Sequence, residues 1–183
     1  MGMDEKARFG FLLYLLERLG ENRYYGMIVV QKIVYFLREA FGADLPYRFH
    51  FYHFGPYSDA LDWDLQMMRS FGLIRIGSDP KKTGYSIQVN EQTSDEAIRA
   101  AHTLIERNKD KIRKVLGLFG QYPPSRLELA STIHFVHNTT VRGKGKAQHR
   151  SIVGKEVKEL KPKFGMGIIE QEYDCLAKTG ILR

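Results

Sequence analysis

The apolar positions of the first ninety residues change their period twice. From Phe11 to Leu16 nearly every residue is apolar, which predicts a helix from Asp4 to Leu19 either wrapped by other helices or buried in a dimer. Between Met27 and Phe41 apolar residues recur at Val30, Ile33, Val34, Leu37 and Phe41, the spacing of an amphipathic helix closed by Gly42. From Tyr47 to Phe54 the period falls to two. Tyr47, Phe49, Phe51 and His53 share one face of an extended segment, and Arg48, His50, Tyr52 and Phe54 share the other. Rings on both faces predict a strand buried on two sides and broken by Gly55-Pro56. Ser58 then caps a helix that turns Leu61, Leu65, Met68 and Phe71 inward and stops at Gly72. Two short apolar runs, 73–76 and 85–89, flank a polar tip with Lys81 and Lys82, the signature of a hairpin.

The second half reads as helices. Ile98, Ala101, Ile105, Ile112, Leu116 and Phe119 form the stripe of one long helix opened by Thr93 or Ser94. Ser125-Arg-Leu-Glu128 has the form of a capping box that starts a helix to about His137. An exposed loop over 138–150 precedes helices over 151–160 and 167–179. The expected fold is mainly α with a small β-hairpin. A helical pair and winged helix-turn-helix-like domain fill 1–92, a linking helix 93–123, and a basic helical domain 124–183. The end of that last domain, CLAKTGILR, echoes MMRSFGLIR at 67–75 in the manner of a second helix-turn-helix.

Composition narrows the function. A chain of 183 residues with 43% apolar positions can build a sizeable core. No apolar run approaches the roughly 20 residues of a membrane span, and no cleavage site follows Phe9 to Gly20. The lone Cys175 leaves no disulfide and no cysteine zinc site, which fits a reducing cytoplasm. Residues 1–92 balance 11 Lys and Arg against 11 Asp and Glu, so the whole net charge of +7 lies in 93–183. That asymmetry suggests a polyanionic partner.

Candidate chemistry is sparse. No phosphate loop or nucleophile elbow occurs. His50 and His53 fall on opposite strand faces, and His134 and His137 lack a recognisable third ligand, so no catalytic residue, metal or cofactor is expected. Asp59, Asp62 and Asp64, at the start of the helix that would enter the major groove, would repel phosphate. Nucleic-acid contacts are therefore expected from Arg142, Lys144, Lys146, Arg150, Lys155, Lys158, Lys161 and Lys163, opposed only by Glu156 and Glu159. Lys155, Lys158 and Lys161 are spaced to share a helix face.

The strings QKIVYFL (31–37), YRFHFYHFGPYSDAL (47–61), GLI (72–74) and LELASTIHFV (127–136) resemble the YwgA-like family of uncharacterised proteins and, more distantly, the Panacea domain of antitoxins. The first resemblance implies a helical fold with no established activity, the second an antitoxin or adaptor that works through protein contacts. Lys32, Tyr52, His53 and Tyr57 are the candidate lining of a partner pocket, since polar tips on aromatic bodies suit interfaces. The leading expectation is a non-enzymatic regulatory protein that binds DNA or RNA through its basic half. The alternative is a protein-binding module, and a homodimer on the apolar first helix fits either.

Overall fold

The computed structural model describes residues 4–20, 26–78, 85–140 and 146–182. The chain is mainly helical with two small antiparallel hairpins. Helix α1 (Glu5–Gly20) lies against α4 (Glu91–Ala100), α5 (His102–Phe119) and strand β4 (Tyr85–Val89). Its residues Phe11, Leu12, Leu13, Leu15 and Leu16 are completely buried by the same chain. This is the wrapped alternative, and it removes the apolar face on which a dimer was expected.

Close approach fixes the α1 contact. A Cβ on Gly10 would fall 1.9 Å from the Ala97 carbonyl oxygen and 2.8 Å from the Ala101 Cβ. At Ala101, with φ −89° and ψ 1°, the expected single long helix is instead broken into α4 and α5. The bend lets both segments stay on α1.

Helix α2 (Met27–Tyr35) passes into a π-helical turn, Phe36–Ala40, in which the Phe41 amide donates to the Phe36 carbonyl at 3.1 Å. Gly42 follows with φ 64°, as a helix stop requires. Strand β1 (His50–Tyr52) pairs with β2 (Gly55–Tyr57), with Tyr52 opposite Gly55. Gly55-Pro56 therefore does not break the strand but forms its return. Proline is tolerated because in a two-stranded sheet every strand is an edge.

The strand is buried on one side only. Tyr47 is buried and Phe49 and Phe51 are partly buried, whereas Arg48, His50, Tyr52 and Phe54 point to solvent. Two strands can cover the helices beneath them, but no described element covers the outer face of the strands. Helix α3 (Asp59–Ser70) is capped by Ser58, whose Oγ accepts from the Leu61 amide at 3.4 Å. Leu61, Leu65 and Met68 turn inward, but Phe71, past the last turn, is 56% exposed. Strand β3 (Ile74–Ser78) pairs with β4, Ile76 opposite Ile87. The hairpin tip with Lys81 and Lys82 lies outside the described residues.

Helix α6 (Pro124–Thr140) packs on α2, β2, α7 (Lys146–Leu160) and α8 (Met166–Lys178). Pro124 is its first residue, where a missing N–H costs nothing, so Ser125 sits inside the first turn and is not the cap. The expected loop over 138–150 is shorter at both ends, since α6 continues to Thr140 and α7 begins at Lys146. Leu127, Ala130 and Ile133 of α6 join Val30, Ile33 and Val34 of α2 in one continuous core.

Gly10→Ala should lower stability by about 1–3 kcal/mol, because α1 must move off the α4 backbone. Gly117→Ala, in α5 with open space around its Cα, should be neutral or slightly stabilising. Urea denaturation of the two variants measures both effects.

Candidate functional site

The packing of α6 on α2 and β2 buries an ion cluster beneath the first hairpin. Glu128, near the start of α6, is buried. Its carboxylate accepts Lys161 Nζ at 2.7 Å and Lys163 Nζ at 2.6 Å. Lys161, itself buried, also donates to the His53 carbonyl at the hairpin turn. From the other side, Lys32 of α2 donates to the Pro56 carbonyl at 2.6 Å. Gln31 closes the exit of β2: its Oε1 accepts from the Ser58 amide at 2.9 Å, and its Nε2 donates to the Ser58 carbonyl at 3.1 Å. The turn, the second strand and the helix entry are thus each held by a buried side chain.

Gly55 makes this fit possible. Its φ is 89°, a left-handed value, and a Cβ there would stand 2.8 Å from Thr132 Oγ1 on α6. Lys32 is only 2% exposed. Burial, reinforced by Lys161 and only partly offset by Glu128, pushes its ammonium down to about 7.

Between α2 and the hairpin lies a pocket of about 110 Å³, whose lining includes Ile28, Lys32, Tyr52, Phe54, Tyr57 and Asp62. The Lys32 ammonium is committed to Pro56. Tyr52 is 50% and Phe54 52% exposed, so the rim is an apolar patch. Burial and the facing Asp62 push the Tyr57 hydroxyl up to about 12, and it stays protonated. Three of the four residues expected to line a partner pocket, Lys32, Tyr52 and Tyr57, therefore meet at one cavity. His53 lies outside it, exposed and packed on the Tyr52 ring at 4.4 Å.

The expected phosphate-binding residues do not form one face. Arg142 and Lys144 lie outside the described residues, and Lys146 opens α7. Arg150 is held by Asp174 at 2.8 Å and Glu170 at 3.2 Å, both from α8. Lys158 donates to the carbonyls of Pro162 and Phe164 at 2.8 and 2.9 Å, closing the turn after α7. Lys155 is exposed on α7. Lys161, expected beside Lys155, comes after the helix has ended and turns inward to Glu128. Lys163 remains exposed but shares that carboxylate.

The acids of α3 also separate. Asp64 is buried, accepting Arg8 Nε at 2.9 Å and the Tyr47 hydroxyl at 2.8 Å, whereas the Asp59 side chain is 82% exposed. His134 Nδ1 and the Tyr35 hydroxyl share a hydrogen bond at 2.8 Å, and burial with nearby His137 pushes His134 down to about 4, so it is neutral. Among the described residues no group of three metal-ligating side chains converges.

The sequence pattern gives Gln31 no role and places Glu128 in a capping box, whereas the structure buries Glu128 against Lys161 and Lys163. The available signal was a polar residue within an apolar stretch: QKIVYFL around Gln31 and Lys32, and LELA around Glu128. Compared with known proteins, the chain matches no family model and no curated protein.

The lowered Lys32 value sets a pH dependence. The unfolded chain keeps this proton up to about pH 10, whereas the folded protein releases it near 7. Between those values the unfolded state binds more protons, so stability rises with pH. Below 7 the cost is fully present, on the order of 4 kcal/mol. Lys32→Met should therefore gain most on the wild type at and below neutrality, and the difference should shrink toward about pH 10. A difference independent of pH in urea titrations would show that Lys32 is charged in the folded protein.

Proposed function

We propose that the protein is a non-enzymatic binding module that takes one apolar side chain of a protein partner into the pocket between α2 and the β1–β2 hairpin. The supporting observation is the pocket itself: a small cavity ringed by outward-facing Ile28, Tyr52 and Phe54 on a hairpin locked from beneath. Buried aromatic anchors in preformed pockets dominate protein interfaces, and a rigid rim lowers the ordering cost of association. Asp59 and Asp62 on the neighbouring helix favour a basic residue beside the anchor. The motif resemblance to Panacea domains leads to the same class of activity.

The nucleic-acid reading draws less support. Arg150, Lys158, Lys161 and Lys163 have partners within the chain, and the first-domain helix that would read DNA keeps Asp59 exposed at its start. The winged-helix order of α3 and β3–β4 therefore serves here as a scaffold.

Two titrations separate these readings. Peptides selected on the protein from a random library should carry an apolar residue next to Lys or Arg. Their affinity should fall at least about tenfold in a Tyr52→Ala, Phe54→Ala variant and change little with salt. Duplex DNA and single-stranded RNA form the other arm. Tight binding there that weakens steeply with salt, and that Lys144→Gln, Lys146→Gln and Lys155→Gln together abolish, would overturn the proposal.

A further inference from the structure

The α2 stripe that borders the hairpin pocket continues beyond it. Ile28, Lys32, Tyr35 and Glu39 follow at helical spacing, and at Phe36 the helix widens into its π turn. Single π turns within α-helices are frequent at functional positions. Here the turn borders a second cavity of about 340 Å³, lined by Tyr35, Glu39, Phe49, Phe135, Asn138 and Thr139. Its volume lies in the range of small-molecule sites, about 300–1,000 Å³.

The lining has one electrical sense. Tyr35 and Phe49 stand edge to face, centroids 5.3 Å apart at 78°, and so form a corner of two rings. Phe135 supplies a third ring from α6. The Tyr35 hydroxyl is tied to His134 at 2.8 Å and the side chain is only 2% exposed, so Tyr35 is a buried part of the wall behind the more open Phe49 and Phe135. Burial pushes that hydroxyl well above its ordinary value and it remains neutral. The charged residue of the lining is Glu39, at the mouth, where it pairs with Arg38.

Aromatic faces carry negative potential and attract cations, most effectively those that surrender little hydration. A bare ammonium would lose water that apolar walls cannot replace; a methylated one loses much less. We propose that this cavity is an aromatic cage for a methylated ammonium group, with Tyr35, Phe49 and Phe135 as walls and Glu39 as the balancing charge. Asn138 Nδ2 is engaged with His134 and the Thr139 hydroxyl donates to the Phe135 carbonyl, so at the end of α6 these two residues offer acceptor oxygens to whatever the ammonium is attached to. The proposal is independent of the hairpin pocket, which the Tyr52→Ala, Phe54→Ala variant removes without touching the cage.

Calorimetry with choline, with its neutral carbon isostere dimethylbutanol, and with matched peptides bearing trimethyl-lysine or plain lysine tests it. Choline or the trimethyl-lysine peptide should bind at least about tenfold more tightly than its uncharged or unmethylated counterpart. Glu39→Gln should weaken binding and Phe49→Leu should weaken it further. Arg38→Gln, which frees the carboxylate, should strengthen it. Preference for choline identifies a small free cation, and preference for the peptide identifies a methylated protein. Equal binding of choline and dimethylbutanol would overturn the cage, as would the absence of cation binding by the folded wild type.

Discussion

The first hairpin depends on one buried carboxylate. Taking ammonium groups out of water costs several kcal/mol each, and only close pairing with further hydrogen bonds offsets it. Glu128 provides that pairing for the buried Lys161, with the exposed Lys163 sharing its carboxylate, and the carbonyls of His53 and Pro56 accept hydrogen bonds from Lys161 and Lys32. Without Glu128, the buried Lys161 would face Lys32 beneath the hairpin with its balancing charge gone. The chain elements thus gathered come from α2, α6 and the turn after α7, so the cluster joins both halves of the protein at one point.

A sheet of two strands can bury only one of its faces. The cluster takes that face, and Tyr52 and Phe54 are left in solvent by the alternation that sends Phe51 inward. The patch is therefore a consequence of the hairpin's narrowness combined with its rigid attachment. A mobile hairpin would fold these rings onto the nearest apolar surface; a pinned one keeps them presented. The left-handed Gly55, pressed on Thr132, allows no slack between strand and helix.

Periodicity made much of the fold legible. The stops at Gly42 and Gly72 both have the left-handed φ that their position after an apolar stripe implies, and the β3–β4 hairpin follows from two short runs about a polar tip. The two-residue period holds from Tyr47 to Tyr52, but the strand itself is only His50–Tyr52, His53 falls in the turn and is exposed, and alternation alone cannot say whether the second face is covered. That depends on how many strands join the sheet, which is a tertiary fact. The break at Ala101 is likewise invisible locally, because alanine favours helix and the bend answers to Gly10, ninety residues away. At the candidate site, Lys32, Tyr52 and Tyr57 were found from their aromatic and polar pairing. Gln31 carries no such mark, and Glu128 reads as the end of a capping box; a polar residue in an apolar stretch announces burial without naming its partner.

The basic run shows how sequence counting and physical charge diverge. Over 142–163 the formal balance is strongly positive, yet affinity for a polyanion depends on cations able to displace counterions from phosphate. Arg150 faces Asp174 and Glu170 across α7 and α8, and Lys161 and Lys163 face Glu128 from α6. These acids lie outside the window in which the cations were counted, so a local sum overstates the field. The opposite holds along α2. No charge run marks that helix, yet its two cavities each combine aromatic walls with a carboxylate, Asp62 at one and Glu39 at the other. Rings and carboxylates at short range repel anions and favour apolar cationic groups, so the electrostatics of the surface beside α2 are set by carboxylates within the half of the chain whose charges balance, not by the excess that gives the net charge of +7.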